Sequence, residues 1–195
     1  MKKIPTIFER DWDNNPSLVT PTRNPECQWV FNGEGQATRK YDGVCCWYDG
    51  TQWFKRFTTQ HSGFQDDKGK SKRPQSHPDF VSATEIDPLT GKQEGWVPIT
   101  DTPENKNMIE AIKNLGIATS GTYEFLGPKS QGNVEKLDTH TMQKHADAAI
   151  VFDCPRTYEE LRSFLTDKDI EGIVWHHSDG KMAKIKLRDF GLKRR

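Results

Sequence analysis

Lys40-Tyr41-Asp42-Gly43 places an amine, a carboxylate and a glycine within four residues. A lysine attacks an electrophile only when its amine is neutral, which burial or neighbouring positive charge brings about. The tetrapeptide follows Gly33-Glu34-Gly35 and precedes a strand-like run, so it is expected in a loop. Alone, it also suits an ordinary turn. Lys184-Ile185-Lys186 is a second candidate. Residues two apart on a strand share a face, so both ammonium groups, and Arg188 after them, project together. Aligned like charges repel unless something anionic lies between them. A triphosphate would serve; a solvated basic edge strand is the other reading. Glu171-Gly172-Ile173-Val174 sets a carboxylate at the head of a buried strand. The glycine after it suits close approach of a ligand or metal, and the arrangement equally suits a strand end in solvent. In Tyr123-Glu124-Phe125 the two aromatics face one side of a core strand and Glu124 the other.

Other patterns carry less. No G-x-x-x-x-G-K-[ST] run occurs, so Gly33-Glu34-Gly35 is not a phosphate loop. His140 and His145 are five apart, and one helix face would not present both. Without a C-x-x-C pair, a zinc site is not expected. His176-His177 reads as a strand end.

These residues need elements to hold them. Val44–Tyr48 and Gln52–Phe57 read as strands joined by Asp49-Gly50, a hairpin signal. Further strands are predicted at Gly121–Leu126, Ala148–Phe152, Gly172–His176 and Met182–Leu187. Ser178-Asp179-Gly180 turns the last two into a hairpin. A helix starts at Thr102-Pro103, carries Met108, Ile109, Ile112 and Leu115 as its apolar stripe, and stops at Gly116. A second starts at Thr157 with Glu160 completing a capping box, and buries Leu161, Phe164 and Leu165. Residues 1–36, punctuated by Pro5, Pro16, Pro21 and Pro25, read as irregular. Residues 58–102 read as a long loop with one hairpin near Asp87–Gly91. The sum is an α+β chain dominated by antiparallel sheet.

The chain has 195 residues and zero net charge, which argues against a tight non-specific nucleic-acid binder. Positive charge is nevertheless clustered at Lys68, Lys70, Lys72 and Arg73, and again from Lys181 to Arg195. No apolar run is long enough for a membrane span, and Met1-Lys2-Lys3-Ile4-Pro5 opens without a secretory signal region. Cys27, Cys45, Cys46 and Cys154 lack disulfide-like spacing, and the adjacent pair would face opposite sides of a strand. Reduced thiols in a cytoplasmic compartment are expected.

The order of the motifs says more than any one of them. Lys40-Tyr41-Asp42-Gly43, Lys55-Arg56, Tyr123-Glu124-Phe125-Leu126-Gly127, Glu171-Gly172-Ile173-Val174 and Lys184-Ile185-Lys186 resemble, in sequence, motifs I, Ia, III, IV and V of the covalent nucleotidyltransferases. These are the ATP-dependent RNA ligases, the DNA ligases and the mRNA capping enzymes. The likeness spans Lys40 to Lys186, and its wording is most similar to RNA ligases, including the vertebrate-type RNA ligase 1 family. It implies an antiparallel-sheet-rich, ATP-grasp-like adenylyltransferase fold over residues 1–195 as one domain, without a C-terminal oligonucleotide-binding barrel. It implies a cytoplasmic, monomeric enzyme of RNA repair that uses ATP and Mg2+ or Mn2+ and acts on RNA ends.

The resemblance also implies roles. Lys40 would attack the ATP α-phosphorus and carry AMP. Asp42 and Gly43 would shape its loop, and Arg56 would contact the nucleotide. Glu124 would bind the ribose or a metal's water shell, and Phe152 would stack on adenine. Glu171 would hold a metal, while Lys184 and Lys186 would contact the phosphates. Lys68, Lys70, Lys72, Arg73, Lys193, Arg194 and Arg195 would line an RNA groove. Two departures stand out. Glu171 and Lys184 are only 13 positions apart (184 − 171), so their hairpin must be minimal. The chain also stops soon after Lys186, where DNA ligases and capping enzymes add their barrel; those enzymes remain the alternatives, with an inactive nucleotide- or RNA-end-binding module as a third.

Overall fold

The computed structural model describes residues 4–66 and 69–194. In chain order the elements are β1 (Phe8–Asp11), β2 (Asn15–Arg23), α1 (Gln28–Phe31), β3 (Gln36–Lys40), β4 (Val44–Tyr48), β5 (Trp53–Gln60) and β6 (Val81–Ser82). They continue with β7 (Lys92–Pro98), α2 (Lys106–Leu115), β8 (Gly121–Leu126), β9 (Thr141–Lys144), α3 (Tyr158–Lys168), β10 (Gly172–His176) and β11 (Met182–Lys186). All named strand pairings are antiparallel. The fold is therefore α+β and sheet-rich, as the patterning predicts. The chain divides into two compact units, one formed by Gly43–Ala146 and the other by residues 4–42 together with 147–194.

The Gly43–Ala146 unit is built on a six-stranded sheet in the order β6-β7-β5-β4-β8-β9. One face carries Cys46, Tyr123, Phe125 and Met142. The stripe Met108, Ile109, Ile112 and Leu115 of α2 packs there, and Gly116 ends the helix at φ 73°. The expected loop at 58–102 is largely wrong. β5 runs on to Gln60 and pairs with β7 from Phe54↔Pro98 to Gln60↔Lys92. Few aliphatics mark β7; Trp96 and Val97 are its buried apolar side chains. Gly95 is needed within it because a Cβ there would run into Phe80 and the Val81 carbonyl. The turn expected near Asp87 is present, with the Asp87 carboxylate accepting from the Leu89 and Thr90 amides.

The other unit holds a three-stranded sheet, β11-β10-β3, and the hairpin β1-β2. Ile173, Trp175, Ala183 and Ile185 face its core, which Leu161 and Leu165 of α3 help to fill. The residues before 36, expected to be irregular, contain β1, β2 and α1 and lead into β3. Pro16 and Pro21 lie within β2, which tolerates them because it has one partner and an irregular register. The strand expected at Ala148–Phe152 is reduced to one bridge, Thr38↔Ile150, with two backbone hydrogen bonds to β3. Thr157 caps α3 differently from expectation: its hydroxyl donates to the Glu160 carboxylate at 2.6 Å, without a side-chain bond to the helix backbone.

Candidate functional site

Register assembles the first set of residues. Gly172 of β10 pairs with Lys40 of β3 on one side and Lys186 of β11 on the other. Directly paired residues share a face, so both lysines stand above a position with no side chain. Gly172 cannot be replaced cheaply, because a Cβ there would run into the Ile185 carbonyl oxygen. Lys40 is the last residue of β3 rather than part of a loop, which corrects the expectation drawn from Gly33-Glu34-Gly35. Being in the ladder, its position is fixed by strand pairing.

Glu171, immediately before β10, ties these lysines together. Lys40 Nζ lies 2.6 Å from its Oε2 and Lys186 Nζ 2.9 Å from its Oε1. The residue is only 7% exposed. Burial alone pushes its carboxyl up, but the Lys40 and Lys186 charges and hydrogen bonds outweigh that and hold it below the ordinary range. Lys40 Nζ also donates to the Tyr41 carbonyl at 3.3 Å. At rest Lys40 is thus a hydrogen-bond donor to a carboxylate. Burial raises the neighbouring Asp42 carboxyl, and the Glu171 charge adds to the effect against the pull of Lys40, Lys186 and Arg194.

Sequence reasoning missed what anchors this end of β11. Arg10 of β1 meets Asp189 at 2.9 Å, and the other Asp189 oxygen accepts the Lys186 amide at 2.9 Å. Asp189 is 2% exposed. No local motif links residues 179 positions apart, so only the folded register reveals the contact.

In the Gly43–Ala146 unit, alternation puts Cys45 and Trp47 of β4, Thr122 and Glu124 of β8, and Gln143 of β9 on one face. Glu124 is 6% exposed. Its Oε1 accepts the Gly43 amide at 3.0 Å, and its Oε2 meets His145 Nε2 at 2.8 Å. Gly43 is required there, since a Cβ would run into the Phe125 carbonyl. His145 Nδ1 contacts the Thr122 hydroxyl at 2.9 Å. Helical spacing argues against His145, yet it follows β9 and reaches Glu124 by strand geometry. Arg56 of β5 donates to Glu94 at 3.0 Å. Trp47 stacks on Phe54 with ring centres 5.0 Å apart and approaches Trp96 at 5.7 Å.

Other expected site residues lie elsewhere. Lys184 precedes Lys186 by two on β11 and pairs with Val174. Phe152 sits in a turn, not a strand, and is 78% exposed. Lys70 and Arg73 are exposed, while Lys72 donates to the Thr90 carbonyl. Lys193 is exposed and Arg194 donates to the Asp169 carbonyl. Lys68 and Arg195 lie outside the described residues. The hairpin between β10 and β11 is as short as expected, closed by His177 and Lys181. His176 ends β10, as its position predicts.

An antiparallel α+β fold with a lysine–carboxylate–lysine centre is the class that these observations define. No family model matches the chain. Over 106 residues, 53% of this chain, it is 27% identical to RNA ligase 1 of Danio rerio. That stretch is 31% of the relative, so the chain spans about a third of the protein it matches. The likeness hints at a ligase.

Proposed function

We propose that this protein is an ATP-dependent RNA ligase that works through a Lys40–AMP intermediate and has an adenylyltransferase fold. The observation that carries the reading is the Lys40–Glu171–Lys186 cluster, an amine and a second cation fixed on one buried carboxylate. The partial likeness to RNA ligase 1 supports it.

In the first step Lys40, displaced from Glu171, gives one ammonium proton to solvent. Its neutral Nζ then bonds to the α-phosphorus of ATP while the bond from that phosphorus to the oxygen it shares with the β-phosphate breaks, releasing pyrophosphate and the second proton. The incoming phosphates compete with Glu171 for both lysines. Lys186, two residues from Lys184 on the same face, then offsets negative charge developing on the phosphates. In the second step a 5′-phosphate oxygen attacks the lysyl phosphorus, the P–N bond breaks, and Lys40 is regenerated. In the third step a 3′-hydroxyl attacks the adenylated 5′-phosphate and AMP leaves.

The oxygen donors beside Lys40 fit a hard divalent ion: Glu171 is buried and already binds cations, and Asp42 is close enough to feel its charge. Mg2+ or Mn2+, when bound, would supply positive charge to phosphate oxygens. Arg56 keeps its implied nucleotide role in this reading, and Glu124 its implied contact with the ribose. Phe152 keeps its implied stacking role only as an exposed turn residue.

The decisive measurement is intact mass after incubation with ATP and Mg2+. The parent should gain one AMP, and Lys40→Ala should fold and gain none. Lys40→Arg should also gain none, since a guanidinium does not lose its proton. Undiminished adduct in Lys40→Ala would overturn the assignment. An adduct from GTP in place of ATP would mark a capping-type enzyme, and no adduct from either would mark a binding module. Joining of 5′-phosphorylated RNA but not DNA would separate an RNA ligase from a DNA ligase.

A further inference from the structure

The neighbours of Glu124 do not suit a hard ion. Cys45 Sγ, a Glu124 carboxylate oxygen and a His145 ring nitrogen lie within 4.8 Å of one another. We propose that Cys45, Glu124 and His145 form a site for one Zn2+-class ion, bound through Sγ, Oε2 and Nε2 with water in the fourth position.

Three observations carry this. The first is donor type. A thiolate, an imidazole and a carboxylate together select a borderline-soft metal over Mg2+ or Ca2+. Ligands about 2.0–2.3 Å from a tetrahedral ion stand roughly 3.3–3.8 Å apart, so small side-chain rotations suffice.

The second is placement. Cys45 pairs directly with Glu124 across β4 and β8, and the β9 register carries on to His145 beside Thr122. All three side chains therefore emerge on one face from a paired sheet. Adjacent Cys46 points the other way into the core, and burial holds its thiol well above the ordinary range. It is excluded as a ligand and inert as a competitor.

The third is the surrounding shell. The Gly43 amide holds the Glu124 oxygen that faces away from His145, leaving Oε2 for a cation. His145 Nε2 lies 2.8 Å from Oε2. A metal at Nε2 needs the neutral ring that carries its hydrogen on Nδ1. The Thr122 hydroxyl 2.9 Å from Nδ1 accepts or donates, and so serves both tautomers. This is the oriented imidazole typical of metal-binding histidines. Cys45 binds a metal as the thiolate, so metal binding releases its proton.

The site rests on these side chains and not on the ligase reading, so its test uses the full chain without ATP. After chelator treatment, the protein is titrated with Co2+ as a spectroscopic substitute for Zn2+. One equivalent should give a thiolate-to-cobalt charge-transfer band and intense visible bands of tetrahedral Co2+, and Zn2+ should displace it. Calorimetry of Zn2+ binding in two buffers of different ionisation enthalpy should report proton release on binding. Cys45→Ser should lose the charge-transfer band, His145→Ala should lose stoichiometric binding, and Thr122→Ala should bind about 10–100-fold more weakly. Circular dichroism and melting temperature check that each variant folds. A parent that binds neither Co2+ nor Zn2+ at equimolar concentration overturns the proposal, as does an unchanged band in folded Cys45→Ser.

Discussion

At the residue scale, Glu171 and Asp42 are two carboxyls pushed in opposite directions. Glu171 is buried, but two ammonium groups hold its folded pKa below the ordinary glutamate range. A depressed carboxyl stabilises the fold above its unfolded pKa, and that contribution is lost as pH falls through the folded value. Glu171→Gln should therefore flatten the loss of melting temperature below about pH 4.3, where an unfolded glutamate titrates. It should cost about 1–3 kcal/mol at neutral pH because two ammonium groups lose their counter-charge. Asp42 has the opposite sign. Burial, then the Glu171 charge, raises it, so its contribution falls as pH rises toward the folded value. Asp42→Asn should raise the melting temperature at neutral pH. Calorimetric scans from pH 3 to about 8 check both signs together, and a shared sign for the two variants would show that the lysine pairing is not what sets their charge. Lys40, Glu171 and Lys186 were legible in the sequence as chemical types. That both lysines share one carboxylate was not, because the ladder joins positions 131 apart. His145 could be found only once β8 and β9 were paired.

At the element scale, β11 has two kinds of support that separate experimentally. Its core side is Ala183 and Ile185, and its far end is pinned by Asp189, shared between Arg10 and the Lys186 amide. Arg10→Ala leaves a buried carboxylate with one partner fewer, and should cost about 2–3 kcal/mol in a denaturant titration. Lys186→Ala keeps that pin, since Asp189 binds the backbone. It should instead slow the proposed adenylation about 100–1,000-fold, as loss of one fixed charge-stabilising group does. Matched stability loss and rate loss in both variants would mean that β11 has no separate phosphate-binding role. Strong periodicity made α2, α3, β4, β8, β10 and β11 readable in advance. β7 and the β1-β2 hairpin were not. β7 carries Lys92, Gln93, Glu94 and Gly95 in place of aliphatics, and β2 carries Pro16 and Pro21. In both, pairing with a neighbour overrides weak local preference.

At the scale of the whole molecule, zero net charge limits how many phosphates the protein can neutralise. Lys70 and Arg73 are exposed in one unit, and Lys193 in the other. On the proposed function, neutralising Lys70, Lys72 and Arg73 together should leave Lys40 adenylation intact and weaken RNA joining. The salt slope of single-strand binding should fall by about 0.7 for each phosphate no longer neutralised. Adenylate yield and joined RNA, measured side by side across a salt series, check this; equal joining would make the cluster plain solvated surface. The chain's segmentation bears on its synthesis. Gly43–Ala146 is one continuous stretch with its own core, while Lys40 and its partner Glu171 lie on the segments before and after it. On the ribosome, the middle stretch can fold while Lys40 still lacks its carboxylate. At roughly 5–20 residues per second, the 131 positions to Glu171 take about 7–26 s. The amine proposed to carry AMP is thus the first part of its centre to emerge and must wait for the last. Nascent chains arrested before residue 171 should show a protease-resistant middle stretch and no AMP adduct, and adduct formation should begin only after Lys186 is exposed.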